Sequence, residues 1–207
     1  QSAIASVWGG FSLRWYTALF NNQQIIDAAL LSLKIAATSA TFATILGTMA
    51  GLALTQMGRY PGRLVFTGII AAPLVMPEVI TGLSLLLMFV SLQELIGWPV
   101  SRGASTITIA HITFSMAYVA VIVQSRLSSM DQSLQEAAMD LGGRPAQVAF
   151  DITLPLIAPS MLSGWLLAFT LSLDDLVIAS FTSGAGASTL PMVIFSKIKL
   201  GVTPDIN

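Results

Sequence analysis

Cysteine is absent from the 207 residues, histidine occurs once, and charged residues make up only 9% of the chain. The missing cysteines exclude disulfides, thiolate metal sites and a cysteine nucleophile. The one histidine, His111, stands among apolar residues, where a packed or backbone-bonded imidazole is the expected state rather than a ligand. No Ser-His-Asp set and no metal-ligand cluster accompanies it, so no catalytic residue and no metal site is expected. A G-x-x-x-x-G-K-[ST] phosphate loop is missing as well, which excludes ATP hydrolysis by this chain in the P-loop manner. A formal net charge of −1 gives no case for nucleic acid. No stretch resembles a cleavable signal peptide. Because the first residue is Gln1 rather than Met, the native start is expected to be missing.

What remains is apolar. Hydrophobic residues account for 55% of the chain and the mean hydropathy is +0.81, whereas soluble domains carry about 25% charged residues. The solvent this composition fits is a bilayer. A span needs about 20 largely apolar residues, and four segments qualify, over about 30–57, 64–92, 104–125 and 156–182. Ile35–Met57 is uncharged, Leu64–Leu92 holds only Glu78, Gly103–Ser125 holds only His111, and the fourth run is interrupted by Asp174-Asp175. Between them lie a tight turn, Gly58–Gly62, a short loop, Gln93–Arg102, and a longer loop over 126–155. No internal repeat or linker is visible, so the expected organisation is a single all-α, polytopic helical membrane domain over 1–207. Ser39, Ala43, Gly47 and Gly51 recur every fourth residue in the first span, a small-residue stripe suited to close helix packing. Trp8, Trp15, Tyr16 and Trp98 sit outside the spans, where interfacial anchors belong. Arg and Lys divide evenly between the two sides, so charge alone does not orient the chain.

The 126–155 loop carries the most specific signal. Glu136, Ala137 and Ala138, then Gly142, then Ile152, Leu154 and Pro155 fill the pattern EAA-x3-G-x9-I-x-LP. Ser133 or Asp131 is placed to cap a short helix, Gly142-Gly143 to end it in a left-handed cap, and Pro145 to open a second helix. Residues 131–155 are therefore predicted to form two short helices outside the membrane. The pattern resembles the cytoplasmic coupling loop of type I permeases of binding-protein-dependent ABC importers. The similarity extends along nearly the whole chain. Gly10-Phe-Ser12 with Trp15-Tyr16, Pro73–Gly82 (PLVMPEVITG), Ser172–Leu176 (SLDDL), Thr189-Leu-Pro191 and Gly201–Pro204 (GVTP) are similar to blocks of the spermidine/putrescine permeases.

That resemblance implies a type I ABC importer transmembrane-domain fold, with the first and last of the family's six spans absent here. It also implies a multi-pass protein of the bacterial inner membrane with the loop in the cytoplasm. The implied partners are a second permease subunit, two ATPase subunits carrying the ATP and Mg, an extracytoplasmic solute-binding protein and membrane lipid. No cofactor is implied on this chain itself.

Three intramembrane acids need a reason, because a carboxylate in hydrocarbon costs about 2.5–3.5 kcal/mol on insertion scales. At about 1.5 Å per helical residue, Glu78 lies roughly 21 Å above Leu64 and Asp174 roughly 27 Å above Leu156, both in the outer half of the bilayer. Glu78 could satisfy backbone N–H groups freed by the neighbouring prolines, and the Asp pair could mark a water-exposed end of the span. Alternatively Glu78, Asp174 and Asp175, with Tyr118 and Trp165, line a path for a protonated amine, one Asp facing the pore and the other bonded within the protein. The reading is a permease subunit forming half of a polyamine (putrescine or spermidine) path. The alternatives are the same architecture importing iron, thiamine, an opine or another solute, a proton-coupled secondary transporter, and a membrane anchor.

Overall fold

The computed structural model describes residues 20–58, 60–131 and 133–200, and every regular element among them is helical. In chain order these are α1 (Gln23–Gln56), α2 (Arg63–Val75), α3 (Glu78–Ile96), α4 (Ala104–Ser128), α5 (Ser133–Asp140), α6 (Pro145–Val148), a π-helical turn (Ala149–Thr153), α7 (Leu154–Asp174), α8 (Val177–Thr182) and α9 (Leu190–Leu200). Among the described residues, four helical stretches are long and apolar enough to cross a membrane: Gln23–Gln56, Glu78–Ile96, Ala104–Ser128 and Pro145–Asp174. Trp8, Trp15, Tyr16, Gly10–Ser12 and Gly201–Pro204 lie outside the described residues.

Two expected spans are corrected. The run over 64–92 is not one helix. α2 ends at Val75, Met76 turns extended (φ −78°, ψ 137°), and a new helix starts at Glu78. The cause is Pro77, which lacks an N–H and pushes the residue before it out of the helical region. At 13 residues α2 rises only about 20 Å, too little for a core of about 30 Å. The continuous climb from Leu64 to Glu78 therefore fails as a measure of depth. The fourth run likewise stops at Asp174, and α8 is a separate short helix.

The chain divides into two compact units. The first gathers the described residues up to Ala37, Glu78–Ala110 and those from Ser172 onward. Within it α3 lies against α8 at a close approach, since a Cβ on Gly82 would fall 2.7 Å from Phe181 Cδ2 and 3.4 Å from Ile178 Cα. Ile35, Ile107, Ala179 and Ala187 form its buried apolar cluster. The Thr106 hydroxyl donates to the Thr182 carbonyl at 2.7 Å, and the Leu190 N–H to Ser32 Oγ at 2.8 Å.

The second unit comprises Thr38–Pro77 and His111–Leu171. Its core joins Ala40 and Ala43 of α1, Val119, Val123 and Leu127 of α4, and Ile157 and Ala168 of α7. The small-residue stripe explains the fit. A Cβ on Gly47 would meet Met116 O and Val119 Cβ at 2.7 Å each, and one on Gly51 would meet Val123 Cγ1 at 3.0 Å. From the other side, a Cβ on Gly164 of α7 would sit 3.2 Å from Val119 Cγ1. His111 is 2% exposed, a packed residue as its apolar surroundings imply.

These contacts set a test. Gly47→Leu drives a side chain into a backbone carbonyl that cannot move aside, and should destabilise the folded protein by about 1–3 kcal/mol or more. Gly68→Ala, whose Cβ meets nothing within 4 Å, should be neutral or raise stability by up to about 1 kcal/mol. Thermal inactivation of the detergent-solubilised protein measures both.

Candidate functional site: the 126–155 loop and the acid-bearing helix ends

The loop begins where α4 ends and is built by caps. The Asp131 carboxylate accepts the Ser133 N–H at 2.9 Å. That backbone bond, then the Ser133 hydroxyl, holds the Asp131 carboxyl below its ordinary value, because hydrogen bonds to the charged form favour it. The cap is therefore intact at neutral pH and is lost only as pH falls through that lowered value. Glu136 stands in the first turn of α5, where its charge complements the helix N-terminus.

α5 closes through a Schellman arrangement. The Gly143 N–H reaches Ala138 O at 3.0 Å and the Gly142 N–H reaches Met139 O at 2.9 Å. Gly142 holds φ +90°, which a β-branched residue tolerates poorly. No atom crowds its Cβ position, so the requirement is conformational. Gly143 is constrained differently: a Cβ there would sit 2.8 Å from Ala138 O. Arg144 is extended, and Gln147 Oε1 accepts its N–H at 3.0 Å, so a glutamine starts α6 together with Pro145 at its first position.

The second half of the loop departs from the expectation of two separate short helices. From Pro145 the chain runs through α6 and the π-turn directly into α7, a continuous helical stretch to Asp174. Ile152 lies in the π-turn, and Leu154 packs on the core of the second unit. Pro155 is exposed at the second residue of α7, just past the π-turn, and supplies no N–H to the turn before it. Ala138, Leu141, Gly142, Gly143, Val148 and Ile152 line a concavity of about 400 Å³ between α5 and this helix. Glu136 and Ala137 face outward, and Leu141 is 91% exposed. The motif residues are thus brought together, some as the hinge of the loop and some as its outer surface.

Two residues outside the motif join it. Gln135 Nε2 donates to Thr153 Oγ1 at 3.2 Å, across 18 positions of sequence. No periodicity links them, and only the position of Gln135 beside the motif Glu could have drawn attention to it.

The three acids all belong to the first unit, and each stands at a helix end. Glu78 opens α3 and is exposed. Asp175 caps α8: its Oδ2 accepts the Ala179 N–H at 2.7 Å and its Oδ1 the Ile178 N–H at 3.3 Å. Asp174 is the exposed last residue of α7. A carboxylate at a helix C-terminus opposes the macrodipole, so Asp174 gains no support from its own helix. Tyr118 and Trp165 belong to the second unit. Tyr118 meets Phe114 edge-on at 5.2 Å, while Trp165 stacks on Phe169 at 5.2 Å and donates from Nε1 to Thr41 Oγ1 at 3.1 Å. Within either unit, then, the five do not form one cluster.

Comparison with known proteins identifies the architecture. Residues 43–200 match the family model described as binding-protein-dependent transport system inner membrane component. The chain is 58% identical over 207 residues, all of its length and 74% of the relative's, to the putrescine transport system permease protein PotI of Escherichia coli K12. It is 42% identical over 200 residues, 97% of the chain and 75% of the relative, to the spermidine/putrescine transport system permease protein PotC of Haemophilus influenzae. Among solved structures, a bacterial ABC transporter involved in importing the acidic polysaccharide alginate superposes with TM-score 0.76 at 19% identity, covering 99% of this chain and 77% of that one. The inward-facing MetNI methionine ABC transporter gives 0.65 at 19% identity, with 88% and 83% covered. At that identity the structures establish the fold, an ABC transporter permease fold. The family match adds membership: the chain belongs to the binding-protein-dependent transport system inner membrane components and is a multi-pass subunit of an inner-membrane transport system.

Proposed function

We propose that the chain is the permease subunit of an ATP-driven importer and forms half of the path for a polyamine, putrescine or spermidine. The 58% identity to a putrescine permease along the entire chain carries this reading. Its partners are a second permease subunit, two ATPase subunits that hold the ATP and Mg, and an extracytoplasmic solute-binding protein. The 126–155 loop is the part the ATPase grips. Gly142 sets its corner, Ala138 and Ile152 shape the concavity, and Glu136, Ala137 and Leu141 present the outer surface. Leu154 and Pro155 root the loop in the fourth span.

The acids divide in role. Asp175 maintains α8 through its two backbone bonds. Asp174, exposed and opposed to its helix dipole, attracts the ammonium group of the passing amine, and Glu78 adds a second negative charge in the same unit. A pathway must attract without trapping, and single carboxylates on separate helix ends meet that requirement better than a closed cage. Tyr118 and Trp165 contribute apolar walls suited to the methylene spacers of a polyamine.

Vesicles holding the complete complex, supplied with labelled putrescine, spermidine and unrelated solutes, test the assignment. Uptake should require ATP and a polyamine-loaded binding protein. Uptake of thiamine or iron but not of amines would transfer the architecture to another solute, and amine uptake driven by a proton gradient without ATP would indicate a secondary carrier. Asp174→Asn should lower amine uptake by about tenfold, the loss of roughly 1.4 kcal/mol, with assembly and basal ATPase activity unchanged. Asp175→Ala should instead reduce the yield of folded complex, since cap loss costs about 0.5–2 kcal/mol. Unaltered uptake by the Glu78→Gln/Asp174→Asn pair would mark the acids as structural.

The loop has its own test. Gly142→Val should abolish uptake or assembly and leave the affinity of the binding protein for amine intact. Gly142→Asn should be milder, because Asn tolerates positive φ. Normal uptake by both Gly142→Val and Glu136→Ala would remove the loop from its coupling role.

A further inference from the structure

We propose that Gln135 is a positioning residue that ties the coupling helix α5 to the bases of the first and fourth spans through a chain of side-chain hydrogen bonds. The inference rests on the reading of the loop as the ATPase-coupled element.

All its members lie in the second unit. Thr153 closes the π-turn and is 1% exposed. Its hydroxyl reaches Val148 O at 3.4 Å, five residues back, across the widened turn. A hydroxyl has one proton to give. With that proton directed at Val148 O, Thr153 Oγ1 can only accept, so the amide NH2 of Gln135 faces it at 3.2 Å. This orientation leaves Gln135 Oε1 outward as an acceptor, and Gln56 Nε2, on the last residue of α1, approaches it at 3.5 Å. Donors and acceptors therefore run in one consistent direction, from Gln56 through Gln135 and Thr153 to Val148.

The geometry has consequences for force transmission. Most of α5 faces outward: Ser133, Leu134, Glu136, Ala137, Met139 and Asp140 are exposed. Gln135 sits one residue before the motif Glu, at the half-buried side of a helix only eight residues long. A displacement of α5 by a partner bound on its outer face can reach the spans through the short link to α4, through the Gly142–Arg144 corner or through Gln135. The corner acts on α7 only by way of α6 and the π-turn. Gln135 acts on that turn directly. The π-turn is the one place in the stretch where the helical ladder changes register, a feature frequent at functional sites. Thr153 sits at its end, one residue before Leu154 enters the core cluster. The bond to Gln56, at the outer limit of hydrogen-bond length, is the link most readily made or broken as α5 moves.

The complete complex in lipid vesicles provides the test, read as binding-protein-stimulated over basal ATP hydrolysis and as amine transported per ATP. Thr153→Val keeps the shape and removes the hydroxyl, whereas Thr153→Ser restores it. Gln135→Leu removes the amide. Thr153→Val and Gln135→Leu should each lower the stimulation ratio and the transport per ATP by about fivefold or more, with basal hydrolysis and assembled complex near parental levels. Thr153→Ser should retain parental coupling. The Thr153→Val/Gln135→Leu double variant should lose less than the sum of the two single ones, because both remove the shared Gln135–Thr153 bond. Parental coupling in both single variants, additive losses in the double one, or failure of Thr153→Ser to restore coupling would overturn the proposal. So would a loss confined to the amount of complex. A parent complex whose ATP hydrolysis no binding protein stimulates would overturn the ATPase-coupled reading itself, and this inference with it.

Discussion

The structure depends on one constraint: a backbone crossing hydrocarbon must satisfy its own polar groups, so every place where a helix stops needs a local partner. The helix breaks obey it by different means. Arg63 donates to Leu54 O at 2.7 Å and to Gly58 O at 2.9 Å, closing the C-terminus of α1 with a cation. Asp175 serves the N-terminus of α8 with two backbone bonds. Gly142 and Gly143 fold the end of α5 back on itself. Charged residues in this chain are few, and several of them are engaged at helix ends.

Satisfied ends allow breaks, and the breaks place the acids at helix ends. Pro77 separates α2 from α3 and turns what would have been an uninterrupted hydrophobic run into a helix start bearing Glu78. The stop at Asp174 leaves one carboxylate exposed beside another that is occupied. Two adjacent residues of the same type thereby acquire different surroundings from their positions, one bonded to backbone N–H groups and one exposed.

Within the second unit, close packing makes a rigid base for the 126–155 loop. Val119 lies between Gly47 of α1 and Gly164 of α7, each close enough that a methyl group would not fit without displacement. Without a hydrophobic driving force between helices in lipid, such backbone approaches are the main source of association. The π-turn at Ala149–Thr153 joins this tight core to the loop, so the loop is an extension of the fourth span at one end and a capped short helix at the other.

Much was legible in the sequence because it depends on local rules. Hydrophobic runs gave the number of spans and the place of the first and third, and the four-residue stripe placed the α1 interface. The order of a cap at Asp131 or Ser133, then Gly142, then Pro145 gave the start and corner of the loop, since capping acts over three or four residues. The EAA spacing identified the family for the same reason, being a short-range pattern. What the sequence did not determine involved choices between competing local solutions or pairs distant in the chain. Hydropathy could not separate a kinked span from two helices, because Pro77 leaves the apolar count unchanged while removing a backbone donor. Likewise, nothing local decided which of Asp174 and Asp175 would take the N–H groups of α8, a matter settled by where α7 ends. Nor could spacing join Gln135 to Thr153, 18 residues apart, because their hydrogen bond exists only after the π-turn has brought the base of α7 beneath α5.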